Sequence, residues 1–571
     1  MINQENFFRP IAWFSLLLAL SCFNPALPFA QASTEAPAGA SADAVESKVT
    51  KDAKEEILAS KSSEPSDIKQ ETGETGKIAD ARFFIRKIHF YGSQILPPEA
   101  LESFFSEYEN REVTFTDLKH LGDRLEQEFR SRGYFAVVFI PPQKVEHGEV
   151  SLRAVVSRMG DLHLKGARYF RDWKTGSYWK IPKGEVLRYD RIKSGVLSMN
   201  ENPDRAVQAI LRPGSSSETS DVYLDVKDRL PMHTGFSFDN RGIKLIGKDR
   251  PGFTFRHNNL IGFDDIFLAG TVFGSDFGAL YTQYMIPLYS QGTRFFMGFS
   301  HAQVTPKKDI ESFHVNGISD TYSFALRQTV YRTARSSAEI YVGFDFNEKR
   351  TRSLSLITAR DRIRMFSLGG NFETVNEAGA WNVGQDLFFG LPIYGGDSLL
   401  RSRDADTSFV KYHFLARREQ KLPWNTKAVL NIEGQVTPDK LIPQQQFFIG
   451  GATTVRGYPE SDYGADQAVL INAEYWMPCF LFPEGSKLPN SKKDLRQTVK
   501  FLVFTDYGHG WMHDASDSEH AERDLLGAGC GIDVRLDENI SMRFEWGARL
   551  GNPALTENGS SQFHFRFKAD F

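Results

Sequence analysis

Gln562–Phe571 reads QFHFRFKADF. Phe563, Phe565, Phe567, Ala569 and Phe571 take alternate positions, and His564, Arg566, Lys568 and Asp570 take the positions between them. Side chains of an extended chain point to opposite faces with period two, so as a strand this stretch has one apolar face and one charged or polar face. One face suits lipid and the other a wet lumen. A soluble sandwich would bury the aromatic face against a second sheet, so one such strand leaves both architectures open.

The same split recurs upstream. In ISMRFEWG, Ile540, Met542, Phe544 and Trp546 oppose Ser541, Arg543, Glu545 and Gly547; in VLINAEYW, Val469, Ile471, Ala473 and Tyr475 oppose Asn472 and Glu474. From residue 231 to the end, alternating segments are separated by Gly, Asn, Asp and Pro clusters, and no amphipathic helix of useful length interrupts them. Eight hairpins can be placed, with strands near 232/252, 264/277, 292/320, 336/361, 381/406, 427/467, 497/524 and 539/562. Sixteen strands is an even number, as expected of a bacterial outer-membrane barrel with both ends on the periplasmic side. Mean hydropathy is below zero, which does not argue against a barrel whose wall alternates.

The other end of the chain fits export. Arg9, the apolar run Ile11–Leu20, Pro25, Pro28 and Ala30-Gln31-Ala32 read as a secretory signal peptide over 1–32. A lipoprotein box at Cys22, preceded by Ser21, has a poor third residue in Ala19. Without the leader only Cys479 and Cys530 remain, so no disulfide framework is expected. Residues 33–80 are rich in Ala, Ser, Glu and Lys and nearly free of aromatics, a polar linker in which Asp43–Ser60 could form one polar helix, read as a solvated tether in preference to a plug of the pore.

Two small α+β domains are expected between linker and barrel. In 81–158, RFFIRKIHFYG reads as one strand. Leu101, Phe104, Phe105 and Tyr108 mark one helix, and Leu118, Leu121, Leu125 and Phe129 mark a second that stops at Gly133. YFAVVFIPPQKV and GEVSLRAVV then read as a hairpin across Glu146-His147-Gly148. A looser version of that order recurs over 159–230, with a helix face at Tyr189, Ile192, Val196 and Leu197 and a closing hairpin from AVQAILRPG and SDVYLDVKDR.

The longest loop of the barrel, 438–466, contains GGATTVRGYPESDYGAD, in which Arg456 is the only basic residue. A loop wholly in water has little use for one such charge among glycines. Val455-Arg456-Gly457-Tyr458, placed in the sixth outer loop, and Phe504-Thr505-Asp506-Tyr507-Gly508, with Phe504, Asp506 and Gly508 as F-x-D-x-G, resemble the paired motifs of the two-partner secretion transporters, the haemolysin and filamentous-haemagglutinin secretion barrels of ShlB/FhaC/HecB type. Weaker matches are RPGSSSETSDVYLDV and Asp239-Asn240-Arg241-Gly242; Asn259–Asp265 departs from the usual pattern with Asp264 where glycine is common.

That resemblance covers nearly everything after residue 80 and implies a transmembrane β-barrel preceded by two periplasmic POTRA-like domains. It also implies that the VRGY loop folds back into the lumen, where Arg456 meets wall carboxylates; Asp506 and Glu545 are the candidates. It implies a pore that carries a cognate exoprotein of haemolysin or adhesin type from periplasm to cell surface, with the client captured by the POTRA-like domains. Outer-membrane lipid surrounds such a barrel, and the barrel-assembly machinery inserts it, reading a terminal signal at Phe567 and Phe571. An assembly factor of the same superfamily is the alternative, although such factors usually carry more POTRA units.

A formal net charge of −4 and the absence of a phosphate-binding glycine loop give no reason to expect nucleic acid. Neither G-x-S-x-G nor H-E-x-x-H occurs, so a soluble periplasmic enzyme is disfavoured, and no cofactor is implied. His509 and His513, four apart at a strand end, read as a solvated pair rather than a metal site.

Overall fold

The computed structural model describes residues 69–70 and 82–571, apart from 146, 217, 290–291, 307–311, 313, 334, 396, 401–402, 404, 484, 488–493, 518 and 537–538. The expected leader and the helix expected within Asp43–Ser60 lie outside the described residues. The chain divides into two compact units, one over Lys61–Leu230 and one that contains Pro231–Phe571.

In the first α+β domain the expected single strand is broken. Arg82–Ile85 pairs with Arg111–Thr114, whereas Lys87–Tyr91 runs parallel to Glu149–Val156. The break has a local cause: the amides of Arg86 and Lys87 both donate to the carbonyl of Gly148, which turns the chain from one sheet into the other. Helix Phe115–Ser131 starts at a capping box, with Thr114 and Asp117 each accepting from the other's backbone amide. Its stripe of Leu118, Leu121, Leu125 and Phe129 is buried against Ile88, Val150 and Leu152. Ala136–Phe139 pairs antiparallel with Glu149–Val156 and stops before Pro141 and Pro142, which cannot donate to a ladder.

The second domain has strand Arg158–Lys165, helix Tyr189–Met199 and the hairpin Arg205–Pro213 with Thr219–Asp228. A short helix, Asp172–Gly176, has no counterpart in the sequence reading. Lys69 and Gln70, in the stretch read as linker, pair in parallel with Ile210 and Leu211 at the edge of this sheet.

Pro231–Phe571 forms a closed antiparallel barrel. Gly379–Gly390 and Asp397–Leu400 both pair with Leu356–Asn376 and count as one interrupted strand, which brings the barrel to sixteen. Alternation holds around the wall. Phe563 and Trp546 are exposed on the outside, while Glu545 and Asp506 are buried inside. Among the described residues no helix is long and apolar enough to cross a membrane. The turn with Asp264 in place of glycine holds that residue at φ +61°, a conformation Asp tolerates, and its amide donates to Asn259 Oδ1 at 3.0 Å.

The seam joins the first strand, Met232–Asp239, to the last, Ser561–Asp570. Thr234 and Phe571 exchange two backbone hydrogen bonds of 2.8 Å. At the other end of the seam the Asn240 side chain imitates a further backbone pair, donating to Phe563 O and accepting from Phe565 N, both at 2.8 Å. Deleting Phe571 removes two seam bonds together with the terminal aromatic. We expect it to lower the amount of folded, heat-modifiable barrel in outer-membrane fractions, and Phe571→Ala to lower it less, because alanine keeps both backbone bonds. Equal abundance of the deletion and wild type on a folded-band gel would refute this.

Candidate functional site: a loop folded into the barrel

Between strands Thr426–Val436 and Gln467–Pro478 the chain enters the lumen. The loop has its own framework: a turn of 3₁₀ helix at Pro443–Gln445 and a short hairpin, Phe447–Ile449 with Tyr463–Ala465. Val455 and Tyr458 are fully buried, and Arg456 is 3% exposed.

The strand F-x-D-x-G aims its three motif residues at one target because positions two apart share a face. Phe504, Asp506 and Gly508 all point inward. The Arg456 guanidinium lies 3.5 Å above the centre of the Phe504 ring. Its Nε and Nη2 donate to the two oxygens of Asp506, each at 2.7 Å, in the planar fork that lysine cannot form. The Arg456 backbone amide donates to Asp506 as well, at 3.0 Å. Gly508 is there for space: a Cβ would come within 2.9 Å of Val455.

Nη1 donates to Glu545 Oε1 and Glu474 Oε1, each at 2.6 Å. Glu474, Asp506 and Glu545 come from three different strands, Gln467–Pro478, Val499–Trp511 and Ile540–Arg549. Neighbouring strands stand about 4.8 Å apart, so Asp506 and Glu545 are separated by a whole intervening strand, Glu522–Leu536. Gly527, Gly529 and Gly531 occupy the inward positions of that strand and make a trough. A Cβ on Gly527 would meet the Arg456 carbonyl at 1.9 Å. Gly457 completes the tip: its φ is +103°, and the wall backbone at Ala548 is close enough to exclude any side chain. Arg543, 2.9 Å from Glu474 and 2.8 Å from Glu545, is a second cation in the cluster.

The structure thus brings Arg456, Asp506 and Glu545 together and adds Glu474, Arg543 and the Phe504 ring face. Glu474 had a sequence signal, since it shares the polar face of its strand with Asn472, which donates to Asp506 at 2.9 Å. Tyr458 donates to the carbonyl of Asn552 in the eighth outer loop at 2.9 Å. Of the loop glycines, Gly450, Gly451 and Gly457 have positive φ. Gly464 sits in the short hairpin instead, where a side chain would strike the Phe448 ring.

A second buried ionic cluster holds the return end of the loop. Arg403, in the fifth outer loop, donates to Asp466 Oδ1 and Glu519 Oε1, each at 2.6 Å, and to the carbonyls of Leu441 and His513. Asp466, which is inaccessible to solvent, also accepts from the amides of Leu441 and His513 and from Gln446. Arg403 lies too far away in sequence and in too irregular a loop for pattern reading to find. His509 and His513 are not paired with each other: His509 meets Asp524 at 2.9 Å, and His513 is partly buried against Thr437 and Gln467. Among the described residues no group of three or more His, Cys, Asp or Glu side chains could hold a metal.

Arg456→Ala leaves three carboxylates in a desolvated site in which Arg543 reaches Glu474 and Glu545, a class of loss that costs about 3–5 kcal/mol. The wall keeps its own hydrogen bonds, so the variant should remain a heat-modifiable barrel while its 438–466 loop becomes protease-sensitive and export falls. Arg456→Lys should restore little. Asp506→Ala should behave similarly, and because the double variant removes charge of both signs, its loss should be less than the sum of the two. Strictly additive losses, or protease resistance in Arg456→Ala, would show that the cluster does not hold the loop.

Residues 218–534, more than half of the chain, match the family described as "Haemolysin secretion/activation protein ShlB/FhaC/HecB", and residues 83–156 match "POTRA domain, ShlB-type". The heme/hemopexin transporter protein HuxB of Haemophilus influenzae is 22% identical over 445 residues, covering 75% of each chain. The outer membrane transporter CdiB of Dickeya dadantii is 23% identical over 468 residues, covering 79% of this chain and 80% of the relative. The structure of CdiB from Escherichia coli superposes with a TM-score of 0.67 at 19% identity over 94% of this chain and all of that one. BamA from Haemophilus ducreyi, lacking POTRA domains 1–3, superposes with a TM-score of 0.56 at 13% identity, covering 86% of this chain and all of that one, a likeness of fold. The chain belongs to the ShlB/FhaC/HecB haemolysin secretion/activation family of outer-membrane transporters, with its POTRA-type domains in the periplasm.

Proposed function

We propose that this transporter exports one or a few β-rich exoproteins of haemolysin or adhesin type, captures them on a sheet edge of the second POTRA-type domain, and works without catalysis or cofactor. The observation that supports the capture site is that this edge already receives a strand. Lys69 and Gln70 lie parallel to Ile210 and Leu211, so main-chain pairing there needs no remodelling of the sheet.

The edges of the first domain's three-stranded sheet are partly closed. Glu109 accepts from the Ile88 amide at 2.9 Å and Glu126 from the Val138 amide at 2.8 Å, each carboxylate taking a donor that a new strand would need. On Arg205–Pro213 the start is capped, where the Asn200 amide group bonds both Val207 N and Val207 O. In this reading an incoming client strand replaces Lys69–Gln70. Lipid surrounds the barrel and the barrel-assembly machinery inserts it, the terminal strand with Phe567 and Phe571 serving as signal.

HuxB is named for heme and hemopexin and CdiB only as an outer-membrane transporter; at this identity neither name fixes the cargo. Deleting the gene and comparing proteins released into the medium tests the function. Loss of one large exoprotein supports it, whereas broad loss of outer-membrane barrels would favour an assembly factor. The edge has its own test. Backbone donors alternate along a strand, so the Ala209 amide faces the same side as that of Val207. Ala209→Pro, which removes that donor, should reduce export several-fold, while Ala209→Ser leaves it near wild type. Equal loss in both, at equal protein abundance, would place recognition in side chains instead.

A further inference from the structure

The lipid-facing surface changes character along the two longest strands. On Ser336–Ser353, Ile340 and Val342 are 50% and 41% exposed, so the outward positions continue as Phe344, Phe346, Glu348, Arg350 and Arg352. On Leu356–Asn376 the residue opposite Ile340 is Gly370, so the outward positions rise through Leu368 and Phe366 to Arg364, Arg362 and Arg360. An aromatic belt separates the apolar band from the arginines. Phe344, Phe324 and Tyr394 pack around Phe346 at 4.9, 6.5 and 6.4 Å, and the Arg364 guanidinium lies 5.2 Å over its ring. Aromatic girdles sit at the interface of an outer-membrane barrel. The hairpin ends at Ser353–Leu356, the barrel end away from the periplasmic turns, so the arginines stand at the headgroup level of the outer leaflet.

These charges do not neutralise one another. Arg350 and Arg360 are directly opposite in register, an arrangement that destabilises a strand pair. The side chains of Arg352 and Arg360 make no hydrogen bond or ion pair among the described residues, and the Nε atoms of Arg350, Arg360 and Arg362 are buried without a partner. Arg350 reaches Asp320 only at 3.8 Å. Arg362 reaches Glu348 at the same distance and shares it with Arg364 at 3.2 Å. Among the described residues of this patch, Arg350, Arg352, Arg360, Arg362 and Arg364 stand against Asp320 and Glu348, so cations outnumber anions. We infer that Arg350, Arg352, Arg360 and Arg362 bind the phosphate groups of a phosphorylated glycolipid in the outer leaflet, whose acyl chains lie along Ile340, Val342 and Leu368. Guanidinium forks match phosphate oxygens two at a time, and a phosphate between Arg350 and Arg360 turns their repulsion into a shared contact.

Binding of bisphosphorylated lipid A to the purified full-length transporter in detergent, followed by native mass spectrometry, tests this. Lipid A stripped of its phosphates should bind at least tenfold more weakly, and Arg350→Gln/Arg352→Gln/Arg360→Gln should lose the preference while keeping its heat-modifiable gel mobility. Inorganic phosphate, which lacks acyl chains, should not displace the lipid at equal concentration. Equal binding of the two lipids to wild type overturns the inference; this arm decides alone if the triple variant does not fold. Full competition by inorganic phosphate would make the patch an anion site in water, and unchanged lipid preference with loss of surface-held exoprotein would make it a protein dock; either result overturns the inference too.

Discussion

A guanidinium taken out of water costs several kcal/mol unless charge and hydrogen bonds replace the lost solvation. Arg456 is 3% exposed inside the barrel, and the local structure follows from meeting that condition. Asp506 takes two of its nitrogens in a fork, Glu474 and Glu545 share the third, and the Phe504 ring covers one face of the plane. To bring carboxylates from three strands onto one group, the strand between two of them must present nothing inward. That strand has glycine at 527, 529 and 531. A side chain at Gly527 would strike the Arg456 carbonyl, and one at Gly529 or Gly531 would strike the backbone of the neighbouring strand at Trp546 or Phe544.

The loop is tied at more than its tip. Asp462 accepts from the amides of Leu555 and Thr556 and from the Thr556 hydroxyl. Asp466 and Arg403 join the return end of the loop to the fifth and seventh outer loops. All of these ties are polar, and all run to other loops or to the wall. Apolar packing contributes a separate patch, in which Ile449, Val455 and Tyr458 are buried with Leu470 and Leu525. Loop and wall therefore form one body around the cluster.

Alternation carries most of the fold in the sequence. At Phe563–Phe571 and Ile540–Gly547 every second residue declares its face, and that pattern by itself assigns Glu545 to the lumenal wall. The same rule applies to Asn472 and Glu474, yet it does not match Glu474 to Arg456, because period two assigns a face and says nothing about which residues on that face share a depth. Depth depends on strand tilt and register, set by all sixteen strands together. Arg403 lies further out of reach: its partners at 441, 466, 513 and 519 come from two other loops, and irregular backbone has no period to read. The bend at Arg86 is hidden for a different reason. RFFIRKIHFYG has uninterrupted strand propensity, and the turn comes from two amides competing for Gly148 O, a tertiary contact.

A lock built from charges answers to water differently from one built from apolar contacts. Apolar burial is driven by the exclusion of water, so admitting water around Val455 or Tyr458 restores the force that returns them to the wall. A Coulomb interaction scales inversely with the local dielectric constant, and over the same 2.6–2.7 Å contacts its strength falls several-fold as the surroundings pass from a protein interior towards bulk water. Arg456 and its carboxylates are each well hydrated when free, so hydration offsets what separation removes. A hydrated polypeptide entering the lumen brings that water with it. The barrel wall responds in the opposite sense, because its ladder bonds face hydrocarbon on one side and have no competing water there. The two parts of the molecule thus differ in what weakens them: water in the lumen lowers the strength of the Arg456 contacts, whereas the ladder bonds that hold Glu474, Asp506 and Glu545 in register meet no such competitor on the lipid side.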